Sequence, residues 1–132
     1  MAQLLFQNFS QSTTVVAPVT TAETVIIVSN PIAVPSGANF ALVSAFLAVQ
    51  FGTGTTGVTF RVRRGSTTAG ALVGTTGNLT SGITASAFFA DGVQMVDSPP
   101  PQDEAQYCLT MQQAGATGNA ATSLESIAVF LF

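Results

Sequence analysis

No stretch of this chain keeps apolar residues at helical spacing for as many as three turns. Short runs of β-branched and aromatic residues recur instead, broken by clusters of Gly, Pro, Asn and Ser. Such runs predict strands over 13–17, 24–28, 40–51, 58–64, 70–73, 85–89, 92–96, 105–112 and 123–131. The breaks have chemical causes. Pro31 and Pro35 cannot donate to a ladder, and the Gly-rich segments 52–57 and 115–119 are expected to close hairpins. The polar, proline-rich segment 98–104 is expected to be a stiff connection that forms no strand. Eight or nine short strands in 132 residues predict an all-β antiparallel sandwich. A jelly roll of about eight strands in two packed sheets fits the count best. The alternative is an immunoglobulin-like sandwich, although the chain has no Trp and only one Cys. Residues 1–12 are expected to be an N-terminal arm, and 13–132 a single domain.

In a sheet with one wet face, alternate residues should be polar. Segment 58–64 obeys: Val58, Phe60 and Val62 fall on one face, Thr59, Arg61 and Arg63 on the other. Two other segments do not. Phe40, Leu42 and Phe46 share one face of segment 40–51, while Val43, Leu47, Val49 and Phe51 share the opposite face. In the last segment Ile127, Val129 and Leu131 oppose Ala128, Phe130 and Phe132. A two-layer sandwich buries inner faces only, so the outer apolar residues of these strands need a further cover. Identical copies around a symmetry axis supply it most economically; residues 4–9 or a long loop of the same chain are the alternative.

Charge points the same way. Three arginines and six carboxylates make up 7% of the residues, with no lysine and no histidine. A soluble domain carries roughly 25%. The net charge of −3 offers no basic stripe for phosphates, so no nucleic-acid partner is expected. The most apolar stretch, 40–49, is about half of the roughly twenty residues that a spanning helix needs. A membrane barrel would alternate apolar with polar residues, which the last strand does not, so no membrane partner is expected. The sequence begins without a positive n-region or a sustained apolar run, so a secretory signal is not expected, and the sequons at Asn8 and Asn78 read as chance matches.

Catalytic chemistry finds little to work with. Without His or Lys, the usual base for a Ser or Cys nucleophile is missing, and no enzyme activity or cofactor is expected. Asp91, Asp97, Asp103 and Glu104 are the only acidic concentration; their irregular spacing matches no compact calcium loop and reads as a solvated rim. Cys108 reads as an inert thiol buried in a strand. Arg61, Arg63 and Arg64 are the only cations, and they are expected to bridge to carboxylates of a neighbouring subunit or partner.

Tyr107-Cys108-Leu109-Thr110-Met111-Gln112, a Gly-rich loop and Ser126-Ile127-Ala128-Val129-Phe130-Leu131-Phe132 together resemble the closing strands of trimeric jelly rolls of the tumour-necrosis-factor and complement type. With Val58-Thr59-Phe60-Arg61-Val62-Arg63-Arg64-Gly65, that ending also resembles small structural proteins of tailed bacteriophages, including head decoration proteins. The resemblance implies a homotrimer with Tyr107, Ile127, Val129, Phe130 and Phe132 in the subunit interface. It also implies an arm, carrying Leu4, Leu5, Phe6 and Phe9, that reaches the major capsid protein or another virion protein. The function so implied is a virion decoration or cementing protein made in the host cytoplasm. A receptor- or glycan-binding domain of a tail fibre or baseplate, and a small coat protein, are the alternatives.

Overall fold

A computed structural model of the chain describes residues 3–12, 16–19, 21–80, 88–118 and 120–132. They carry the strands β1 (Phe6–Ser12), β2 (Val16–Val19), β3 (Thr24–Val28), β4 (Ile32–Val34), β5 (Ala41–Gln50), β6 (Gly57–Arg64), β7 (Leu72–Thr75), β8 (Phe88–Asp97), β9 (Gln102–Ala105), β10 (Tyr107–Ala114) and β11 (Ala120–Leu131). One sheet runs β1-β11-β5-β8, with β2 also on β11; the second runs β3-β10-β6-β7; β4 and β9 form a separate ribbon. Every pairing is antiparallel. This is the expected all-β sandwich, with jelly-roll connections between its sheets.

Three local expectations are corrected. Segments 52–57 and 115–119 do not close hairpins, because β5 and β6, like β10 and β11, lie in different sheets. Their glycines serve turns that carry the chain across the sandwich: Gly54 and Gly115 take φ of 73° and 66°, which other residues adopt only at a cost. The two crossings are bonded to each other through Thr117 N–H to Thr53 O (2.8 Å) and Thr56 N–H to Ala114 O (2.8 Å). Finally, the expected non-strand 98–104 contains the start of β9, since β4 offers Gln102–Ala105 a partner despite its poor intrinsic β-propensity. The two short strands expected at 85–89 and 92–96 meet in one, β8, from Phe88 onward; residues 85–87 lie outside the described residues, as do 13–15 of the segment expected at 13–17.

The core lies between the sheets. Val43, Leu47 and Val49 of β5 and Ile127, Val129 and Leu131 of β11 belong to one cluster with Phe60 and Val62 of β6 and Leu109 and Met111 of β10, each at most 1% exposed. Each such side chain contributes roughly 1.5–3 kcal/mol by leaving water.

One irregularity sets the phase of β11. Its register against β5 shifts between Ser123 and Ser126, so that Leu124 and Glu125 stand where the partner has only Leu47. This β-bulge places Leu124 at φ 54°. Before it, even-numbered Ala120 and Thr122 are buried; after it, odd-numbered Ile127, Val129 and Leu131 are buried.

Candidate assembly surface

Residues paired directly across a sheet share a face. The outer face of the β1-β11-β5-β8 sheet can therefore be read in rows. One row is Gln7, Phe130, Leu42 and Val96; the next is Phe9, Ala128, Ser44 and Gln94; the third runs through Ser126, Phe46 and Gly92. Among the described side chains this face carries no charge. Phe9, Phe46 and Val96 stand 60%, 48% and 62% exposed on it. Phe130 and Phe132 are half-buried, and the Phe132 ring stacks on Phe40 at 4.8 Å between centroids. A groove of about 430 Å³ runs along the β1–β11 side, lined by Gln7, Asn8, Phe9, Ala128 and Phe130.

The five residues expected in a subunit interface therefore separate. Phe130 and Phe132 reach the outer face, but Tyr107, Ile127 and Val129 are 1%, 0% and 0% exposed within their own chain and are not available to another subunit. The cause is strand parity: on β11 the odd positions after the bulge point inward, and Tyr107 opens β10 on its inner face. Phe46 and Val96, which no interface expectation included, are more exposed than either Phe130 or Phe132. Phe46 was legible as an apolar residue on the second face of its strand; Val96 gave no such signal, because which side of β8 is wet depends on its pairing with β5.

The segment expected to form an arm is largely a strand. Residues 6–12 pair along β11 from Phe6↔Leu131 to Ser12↔Glu125, and Leu5 N–H donates to Leu131 O at 2.6 Å. β1 thus lies beside β11 and does not cover the outer face. Leu4, Leu5 and Phe6 remain 44%, 41% and 49% exposed.

The arginines find their carboxylates within the chain, which corrects the expectation of bridges to a partner. Arg63 donates two hydrogen bonds to Glu23 (2.6 and 2.9 Å), and Arg61 donates to Gln112 Oε1 (2.8 Å) with Glu23 at 3.8 Å. Glu23 also accepts from Thr110 Oγ1 at 2.6 Å. The Arg63 hydrogen bond, with that from Thr110, outweighs desolvation and holds the Glu23 carboxyl below the usual carboxylate range. These groups cover the outer face of the second sheet, which is therefore the polar side of the sandwich. Arg64 behaves differently. It lies opposite Tyr107 and reaches across to Asp97 at the end of β8, donating from Nε and Nη2 at 2.7 Å each. Tyr107 Oη donates to the same carboxylate at 2.8 Å. Burial pushes the Asp97 carboxyl up, but these bonds pull it further down, below its ordinary value. Burial, together with the bond to Asp97, pushes the Tyr107 phenol well up. This triad clasps the two sheets at one end.

The remaining candidates are quieter. Among the described residues, no three His, Cys, Asp or Glu side chains come together in a group that could hold a metal ion, and no helix is long and apolar enough to cross a membrane. A cavity of about 250 Å³ is lined by Arg64 and Tyr107 of the clasp together with Pro99, Pro100 and Glu104. Cys108 is buried under Thr67, whose carbonyl lies 3.7 Å from Sγ, and burial pushes its thiol up. Glu125 accepts from Thr122 Oγ1 at 2.7 Å, while its Oε2 is buried with no partner.

No family model and no curated protein matches the chain. Solved structures do. The VP2 protein of infectious bursal disease virus, in a structure of its derived T=1 particles, superposes on 94% of the chain with a TM-score of 0.57 at 13% identity. The chain spans 31% of that VP2 chain, about a third of its length. Murine APRIL superposes on 96% of the chain and over 100% of its own length, with a TM-score of 0.53 at 8% identity. At these identities the likeness is one of fold, and it is to jelly-roll proteins.

Proposed function

We propose that this chain is a non-enzymatic structural subunit of a virion: a homotrimeric head decoration or cementing protein that stabilises a capsid through apolar contacts. One observation carries the reading, namely an outer sheet face that has no charge among the described side chains and exposes Phe9, Phe46 and Val96. Uncharged faces that expose large apolar side chains in this way mark interaction surfaces. The shared fold supports self-association, since jelly-roll relatives include a virus particle protein. The absence of any His or Lys, with every arginine committed to a carboxylate, supports a role without catalysis.

The test is mass in solution by light scattering at micromolar concentration, followed by addition of the protein to capsids lacking it. A mass of three 13.4 kDa chains, and capsids that withstand more heat once decorated, are expected. A clean monomer that leaves capsid stability unchanged would overturn the proposal. A second reading, a coat protein that builds the shell itself, is favoured by the likeness to VP2 in its T=1 particles. Closed particles formed by the purified chain alone would select it.

A further inference from the structure

At the clasped end of the sandwich, β9 and the proline loop before it border the cavity of about 250 Å³ beside Arg64. Gln102, Glu104 and Gln106 line it from every second position of one extended segment, with the buried Ala105 and Tyr107 turned the other way. Their existing bonds show what each has left to offer. Gln102 Nε2 donates to Pro100 O at 3.3 Å and Gln106 Nε2 to Ser29 O at 3.2 Å, so each amide keeps its oxygen without a donor. The exposed Glu104 carboxylate has no hydrogen bond or ion pair among the described residues. Nor can the loop beside it supply one, because Pro99, Pro100 and Pro101 in succession have no backbone N–H. Arg64 spends Nε and Nη2 on Asp97 and the Ser98 carbonyl, which leaves Nη1. Its charge is balanced by Asp97, so Glu104 gives the cavity an unbalanced negative charge.

We propose that this cavity binds a primary ammonium carried beside a carbonyl oxygen, the group found in an amino-acid amide and at the amino end of a peptide. An ammonium has N–H donors and no acceptor, which matches a site of acceptors from Glu104, Gln102 and Gln106. Its charge answers the one that Glu104 leaves over. The neighbouring carbonyl gives Arg64 Nη1 the acceptor it lacks, so the guanidinium assists the ligand and does not merely repel it. Other classes fit less well. A hard divalent cation wants about six to eight oxygen ligands, most of them charged or rigidly placed, and this cavity has a single uncommitted carboxylate. An anion would meet Glu104, and a neutral polyol would leave that carboxylate without a countercharge. Pro99 and Pro100 supply an apolar wall for the carbon next to the ammonium. The site uses nothing from the outer face of the first sheet, so it stands or falls apart from the assembly reading.

Amide chemical shifts of the nitrogen-15-labelled chain test the site, followed at Gly65, Gln102 and Gln106 during titration with small amines at neutral pH. Alaninamide, which carries both groups, is expected to move these signals saturably. N-acetylalaninamide, which lacks the ammonium, is expected to leave them in place, and propylamine, which lacks the carbonyl, to bind more weakly. Glu104→Gln removes an exposed side chain's charge without breaking any bond, so the fold is kept; it is expected to weaken alaninamide about fivefold, as the loss of an exposed ion pair does. Equal binding of the acetylated probe, or unchanged binding to Glu104→Gln, would overturn the ammonium site. Propylamine binding as tightly as alaninamide would overturn the pairing of Arg64 with a carbonyl. No saturable shift with any of the three would remove the site altogether. Trialanine amide separates the two sources of the group: binding equal to that of alaninamide supports a peptide's amino end, and binding of alaninamide alone supports a free amino-acid derivative.

Discussion

Replacing Asp97 by alanine should be the most damaging change at the charged positions, and the structure says by how much. The carboxylate accepts two bonds from Arg64 and one from Tyr107. Its loss does not affect the two partners equally. Arg64, with a side chain 38% exposed, can turn to water and keeps its 3.1 Å bond to the Ser98 carbonyl. Tyr107 is 1% exposed, so its hydroxyl would be left as a buried donor without an acceptor. An orphaned buried donor costs about 1–3 kcal/mol, and a partly solvated ion pair adds about 1 kcal/mol at most. Asp97→Ala should therefore lose about 2–4 kcal/mol and Tyr107→Phe about 1 kcal/mol, while Arg64→Ala, which leaves the 9%-exposed Asp97 carboxylate without its countercharge, should lose about 1–3 kcal/mol. For a chain of this size that is a drop in melting temperature of roughly 10 °C for Asp97→Ala. Thermal and urea unfolding followed by circular dichroism, at one fixed protein concentration, would measure it. If Asp97→Ala melts within a degree or two of the unaltered protein, or if Tyr107→Phe costs as much, the clasp does not hold the sheets in the way described.

Acid should unfold the protein through the same carboxylates. Glu23 and Asp97 are held below their ordinary values, so their contribution is present above the carboxylate range and is lost as pH falls through the folded-state values. Stability should decline from about pH 4 downward, and less steeply in Glu23→Gln; an unchanged slope would exclude Glu23 as a contributor. Leu124→Gly should raise stability by up to about 1 kcal/mol in urea melts, because it relieves a left-handed backbone while sacrificing a side chain that is 54% exposed. Cys108 should react with a thiol reagent only at the rate of unfolding, since its thiol is buried and pushed up; fast labelling of the native protein would contradict that burial.

The parts of this fold that the sequence disclosed are those in which neighbouring residues carry their own instructions. Segment 58–64 alternates cleanly, and β6 runs from Gly57 to Arg64 with Val58, Phe60 and Val62 inside. Segment 24–28 coincides with β3 for the same reason, as a β-branched run stopped by Asn30 and Pro31. What stayed hidden was decided at long range. β1 alternates poorly and becomes a strand because β11 offers it an edge more than a hundred residues later. β9 exists because β4 is adjacent in space. The arginine partners, Glu23 and Asp97, lie 40 and 33 residues from the guanidinium each meets, so nothing local could assign them. The interface set shows the limit most sharply. A strand apolar on both sides reveals that two faces are covered, but only the packing of the second sheet says that Ile127 faces the core and Phe130 the outside.

The position of β11 governs when the first sheet can exist. It stands between β1 and β2 on one side and β5 on the other, so no pairing joins those strands until the final segment of this sequence has left the ribosome. Until then Phe46 and Ala128 cannot occupy one surface, and a half-made chain presents no finished face to its siblings. Until β11 is in place β5 has β8 alone for a partner and an open edge on its other side, so the waiting chain is at its most prone to sticking.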